Sequence, residues 1–182
     1  MFVFKRFPPA CARRCYSSRS VIVLGLDPGS LHTGFGIIER RGSQLRVIGH
    51  GRISLPRALP LPARFAQLAA ELRALIEQYR PAAAAVEAPF YGRNVHSLIV
   101  LAEARGALLA TLSAQGLEPR EYSPAEIKVA VTGNGRAEKE QVARMVRMLL
   151  GMGNAAVSRD ASDALAVALC CAQRERLDRL AN

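Results

Sequence analysis

Apolar residues change their period several times along the chain, and each change marks an element. VIVLGLD, residues 21–27, is apolar on both faces, as a central strand covered from two sides must be. After the tight turn PGSLHT come TGFGIIER and, past Arg41-Gly42-Ser43, QLRVIGHGRISL, two more strand-like runs at hairpin separations. Three strands joined so closely are expected to be antiparallel neighbours. From Pro62 the spacing turns helical, with Phe65, Leu68, Leu72, Leu75, Ile76 and Tyr79 recurring at three and four. RPAAAAVEAP follows, pinned between Pro81 and Pro89 with too little room for a helix, so Ala82 to Glu87 reads as a second buried strand. Helical patterns cover 94–115, 124–131, 137–150 and 160–178, with a short strand at Arg120 to Tyr122. Antiparallel strands followed by alternating helix and strand predict an α/β fold: a mixed five-stranded sheet with helices on both faces.

Composition narrows the class. The 182 residues suit one domain, half are hydrophobic and 22% are charged, which is globular and not disordered. No apolar run reaches the roughly 18 residues of a membrane span. Net charge is +10, but Lys5, Arg6, Arg13, Arg14 and Arg19 stand in residues 1–20 with no acid, leaving 20 bases against 15 acids, or +5, for the body. A basic body suits a polyanionic partner, although surface charge also serves solubility. The Arg- and Ser-rich leader is compatible with a disordered tail, an early start codon or a mitochondrial presequence. Cys11, Cys15, Cys170 and Cys171 form neither a zinc-type CxxC pair nor a spaced disulfide framework, which favours reduced thiols. His32, His50 and His96 are scattered singly.

The candidate chemistry lies in four acids. Asp27 closes the first strand and Glu87 the fourth; if those strands are neighbours, both acids emerge at the sheet edge where open α/β sheets place ligands. SRDASDALAVAL adds Asp160 and Asp163, three apart and so on one face of a helix. Alone, that pair is what capping and the helix dipole favour in a first turn. Taken together, four clustered carboxylates would repel one another and retain protons unless cations intervened. All-oxygen ligation suits magnesium or manganese, and two such ions ~3.5–4 Å apart form the clamp used for in-line displacement at phosphorus. Asp27, mounted deepest, is the expected bridging ligand.

Four stretches, LGLDPGSLHTGFGII, AVEAPFYGRNVHSLIVLAEARG, EYSPAEIKVAVTGNGRAEKEQVARMVRMLL and DASDALAVALC, make the chain resemble the RuvC family of Holliday-junction endonucleases, in the RNase H-like superfamily. The resemblance implies a single nuclease domain over residues 21–178, with residues 179–182 as a tail, acting as a homodimer that nicks two opposed strands of a four-way DNA junction. By motif position it makes Asp27, Glu87, Asp160 and Asp163 the catalytic acids holding two magnesium ions, with manganese able to substitute. It gives Phe90 a stacking role at the opened junction and places Lys128 and Lys139 at the scissile phosphate. GNG at 133–135 sets a pliable backbone near phosphate. The helix from Asn94, with Leu98, Leu101, Ala102, Leu108, Leu109 and Leu112, is similar to the family's dimer helix; a doubly buried helix in a monomer would look the same. The family also implies RuvA and RuvB as partners, no membrane, and a bacterial cytoplasm, with a mitochondrial setting as the minor alternative. Ala88-Pro89 departs from the polar-then-aliphatic pair of the family, and the leader has no counterpart in it.

The sequence has three rival readings. DPGSLHTG resembles the phosphate loop of actin-like and sugar-kinase ATPases, but those need two lobes and a second Asp-Gly loop. A YqgF-like nuclease acting on non-junction nucleic acid fits less well, because AEKEQV and DASDALA match RuvC. A junction binder without catalysis would gain nothing from four acids facing phosphates.

Overall fold

The computed structural model describes residues 20–89, 94–153 and 155–181, with side chains of the final helix described as far as Arg174. The chain runs β1 (Val21–Asp27), β2 (His32–Arg41), β3 (Gln44–Ser54), α1 (Leu61–Tyr79), β4 (Ala83–Glu87), α2 (Val95–Ala114), β5 (Pro119–Tyr122), α3 (Pro124–Thr132), α4 (Lys139–Leu149) and α5 (Arg159–Ala181). The sheet order is β3-β2-β1-β4-β5. β1, β2 and β3 pair antiparallel, while β4 joins β1 and β5 joins β4 in parallel. The expected mixed five-stranded sheet is therefore present, and the first and fourth strands are indeed neighbours.

Alternation along the strands divides the core. Leu24 and Leu26 of β1, with Ala84 and Val86 of β4, pack under Leu68, Leu72 and Leu75 of α1 and Leu108 and Leu112 of α2. Val21 and Val23, with Ala85, face the other way onto α3, α4 and the run Leu165–Ala172 of α5. Asp27 and Glu87 continue this second set by two-residue periodicity, so both acids point to the α5 side.

What lets α5 come so close is glycine. A Cβ at Gly25 would lie 2.3 Å from the Ala164 carbonyl oxygen, one at Gly36 2.8 Å from Leu165 Cα, and one at Gly34 2.0 Å from the Asp160 carbonyl oxygen. Gly25 and Gly36 are register partners on β1 and β2, and Gly34 is partner to Asp27. The helix thus lies backbone to backbone on a strip without side chains. This seam brings the start of α5 alongside the end of β1.

No uninterrupted apolar run approaches 18 residues, but one helix is apolar on average. Val95–Ala114 is 20 residues long and has a mean hydropathy of 1.4, enough by length and composition to cross a membrane. Its charged residues Glu103 and Arg105 break the apolar run in sequence. Ala104, Leu108 and Leu112 form one buried face against α1 and the sheet, and Val100 is buried as well. Val95 and Ile99 remain 69% and 52% exposed.

Candidate active site

The ends of β1 and β4 are in parallel register, with Leu26 beside Val86, so Asp27 and Glu87 project side by side. Asp27 and Glu87 share a side-chain hydrogen bond, a contact that requires one of the two carboxyls to hold a proton. Burial, then the charges of Glu87 and Asp163, push the Asp27 carboxyl up from its ordinary 3.8 to about 8. Glu87 is raised too, by burial and by Asp163, while Lys139 and Lys128 pull the other way.

α5 supplies the other two acids. Its N-terminal N–H of Ala161 is capped by Ser158 Oγ at 3.3 Å. The cap is therefore taken by serine, and neither aspartate is needed for it. Asp163 is raised by burial, against the pull of Lys139 and Arg159, and Lys139 Nζ stands 3.7 Å from its Oδ2. Asp160 lies outside the lining of the central cleft, where Arg52 Nη1 donates to its Oδ2 at 3.5 Å. Its charge nonetheless reaches Asp27.

The cleft, about 270 Å³, is lined by Asp27, Glu87 and Asp163 together with Lys128 and Lys139. Lys128 comes from α3, held at its start by a reciprocal capping box between Ser123 and Glu126, and Lys139 opens α4. Arg105 of α2 also lines it, paired with Glu121 of β5, and its Nε is buried without a hydrogen-bond partner among the described residues. Sequence reading missed Arg105 and Arg52. Arg105 left one signal, a lone basic residue inside an apolar helix, whereas Arg52 became visible only through strand register. Phe90 falls outside the described residues, as does the leader up to Arg19.

Among the described residues, no three Asp, Glu, His or Cys side chains form a ready coordination sphere. The acids are instead occupied pairwise, by a shared proton, by Lys139 and by Arg52. Their donor chemistry, carboxylate oxygen with no His or Cys lining the cleft, fits a hard divalent cation. Such an ion would also offset the burial, and the repulsion from Glu87 and Asp163, that together keep Asp27 protonated.

Residues 23–171 match the family model described as crossover junction endodeoxyribonuclease RuvC. The chain belongs to the RuvC family. RuvC of Syntrophomonas wolfei is 44% identical over 155 residues, covering 85% of this chain and 90% of that protein. RuvC of Chlorobaculum parvum is 47% identical over 150 residues, covering 82% and 80%. Among solved structures, Thermus thermophilus RuvC in complex with a Holliday junction substrate superposes with a TM-score of 0.82 at 32% identity, covering 87% of this chain and 96% of that one. RuvC proteins are hydrolytic nucleases. The position of the cleft at the ends of β1 and β4 is where an extended strand could reach three acids from three elements at once.

Proposed function

We propose that this chain resolves four-way DNA junctions, each subunit of a homodimer hydrolysing one phosphodiester bond in one of two opposed strands. The observation that supports this most is the meeting of Asp27, Glu87 and Asp163 with Lys128 and Lys139 in one cleft at the sheet edge. Asp27, Glu87, Asp163 and Asp160 would hold two magnesium ions, with manganese able to substitute. Held by these carboxylates, such ions would supply water activation and charge neutralisation for hydrolysis at phosphorus. Lys128 and Lys139 hold the scissile phosphate and balance its developing charge. Asp27 would have to give up its proton to serve as a ligand, and Lys139, now 3.7 Å from Asp163 Oδ2, would be within the same cleft as the phosphate. Phe90, three residues after Glu87 in sequence, is the residue this reading assigns to stacking at the opened junction.

The exposed apolar stripe of α2, Val95 and Ile99 with Ala102, supports this helix as the dimer surface. Membership of the family supports cooperation with RuvA and RuvB. The bacterial origin of the relatives supports a cytoplasmic setting and lends nothing to a mitochondrial one. Residues 21–178 serve in this reading as one nuclease domain.

The test is a labelled synthetic four-way junction beside a matched linear duplex, in magnesium, with Asp27→Asn run in parallel. Paired nicks in the junction alone, lost in a variant that still shifts the junction on a gel, are expected. Equal cutting of the duplex would make this a general nuclease, and binding without cutting in either metal would remove the catalytic reading. Binding should also weaken steeply with salt, since backbone phosphates carry the contact.

A further inference from the structure

The register of the sheet places three residues in one row: Asp27 on β1 pairs with Gly34 on β2, and Gly34 pairs with Arg52 on β3. Side chains in one row share a face. In this row the middle position has no side chain, and the first turn of α5 fills the gap, with the Asp160 carbonyl where a Gly34 Cβ would be. Asp160 is therefore suspended over the glycine, between an acid on one side and a guanidinium on the other. Arg52 reaches across and takes Oδ2 at 3.5 Å, with the two side chains 44% and 33% exposed. As an isolated surface pair this contact adds little stability. Its effect is on direction: one guanidinium nitrogen holds one carboxylate oxygen, and the other oxygen is turned free of that contact.

We propose that Arg52 is a positioning residue for Asp160. It fixes the rotamer of that carboxylate so that its second oxygen can enter the divalent-ion site beside Asp27. Carboxylates that ligate metals are themselves held by hydrogen bonds, and loss of such support typically costs ~10–100-fold in metal affinity. Arg52 supplies that support from an edge strand that carries none of the acids. The inference rests on the metal-dependent reading above.

The experiment is manganese titration of the DNA-free full chain, followed by electron paramagnetic resonance of the unbound ion. Leaving DNA out removes any contact between Arg52 and phosphate from the result. Arg52→Ala should weaken manganese binding about tenfold, and Arg52→Lys, a single donor in place of the fork, should recover part of it. In an Asp160→Asn background the Arg52→Ala change should have no further effect, because the residue acts through that carboxylate. Unchanged or tighter binding by Arg52→Ala would overturn the inference, the latter by making Arg52 a competitor of the ion. An equal loss in both backgrounds would overturn it as well. If the wild-type chain takes up no manganese, the metal reading falls and this inference with it; uptake that ignores Arg52 sinks the inference alone. Arg52 is exposed, and circular dichroism of each variant checks that the fold is kept.

Discussion

Replacing Asp27 by Asn should stabilise the ion-free protein while ending its activity, and the gain should depend on pH in a fixed direction. The folded chain holds the Asp27 proton up to about pH 8, against an ordinary value of 3.8. Between those values the folded state binds more protons than the unfolded one, so wild-type stability falls as pH rises through the window. Each unit of that shift is worth about 1.4 kcal/mol. At pH 7 the burden is therefore on the order of 4 kcal/mol, and part is relieved because Glu87 shares the proton. An Asn at this position carries no charge, and its amide still donates to Glu87. We expect a gain on the order of 2–4 kcal/mol at pH 7, or roughly 5–10 °C in Tm for a chain of this size. Urea unfolding followed by circular dichroism in EDTA, at pH 4, 6 and 8, measures it. The two proteins should be nearly equal at pH 4 and diverge steadily toward pH 8, after which the gap stops growing. Added magnesium should narrow the gap by stabilising only the wild type. An Asn variant no more stable at pH 8, or a gap the same at every pH, would refute the claim that Asp27 is held protonated by its surroundings.

Gly34→Ala would put a methyl group onto the backbone of Asp160, and backbone cannot rotate away. A cost of ~1–3 kcal/mol in urea unfolding is expected, with junction nicking down about a hundredfold, since the first turn of α5 must move by about an ångström; nicking at wild-type rate would show that the seam does not set the site. Ile99→Asp, at a position 52% exposed, should leave thermal stability of the monomer unchanged and shift sedimentation from dimer to monomer at micromolar concentration. A wild-type chain that sediments as a monomer would remove α2 as the dimer surface.

Much of the fold was legible because its signals are local. The two-sided apolar run of β1 and the three-four spacing of α1 are each set by residues within one element, and both elements fall where they were expected. The strand Ala83–Glu87 was read from the prolines that bracket it, against the helical preference of its alanines. The pairing of β1 with β4, which brings Asp27 to Glu87, required only that the crossover place neighbours side by side. What could not be read is the environment of each acid. Whether Asp160 and Asp163 cap α5 depended on Ser158, and the serine took the cap. That Asp160 answers to Arg52 depended on two successive strand registers and a glycine between them. The high mean hydropathy of α2 belongs to the helix as a whole, because Glu103 and Arg105 break its apolar residues into short runs.

The glycine strip under α5 has one more consequence. In most cores an interlayer distance is a compromise among many side-chain volumes, and it drifts as those volumes are exchanged. Here the spacing between Asp27 and the α5 acids is a main-chain dimension, fixed where Gly25, Gly34 and Gly36 meet the helix directly. Substitutions among the surrounding leucines, valines and alanines can then raise or lower stability without resetting the interval between the acids. The molecule has in effect a gauge block at its centre, and its tolerance for change elsewhere follows from that one stiff contact.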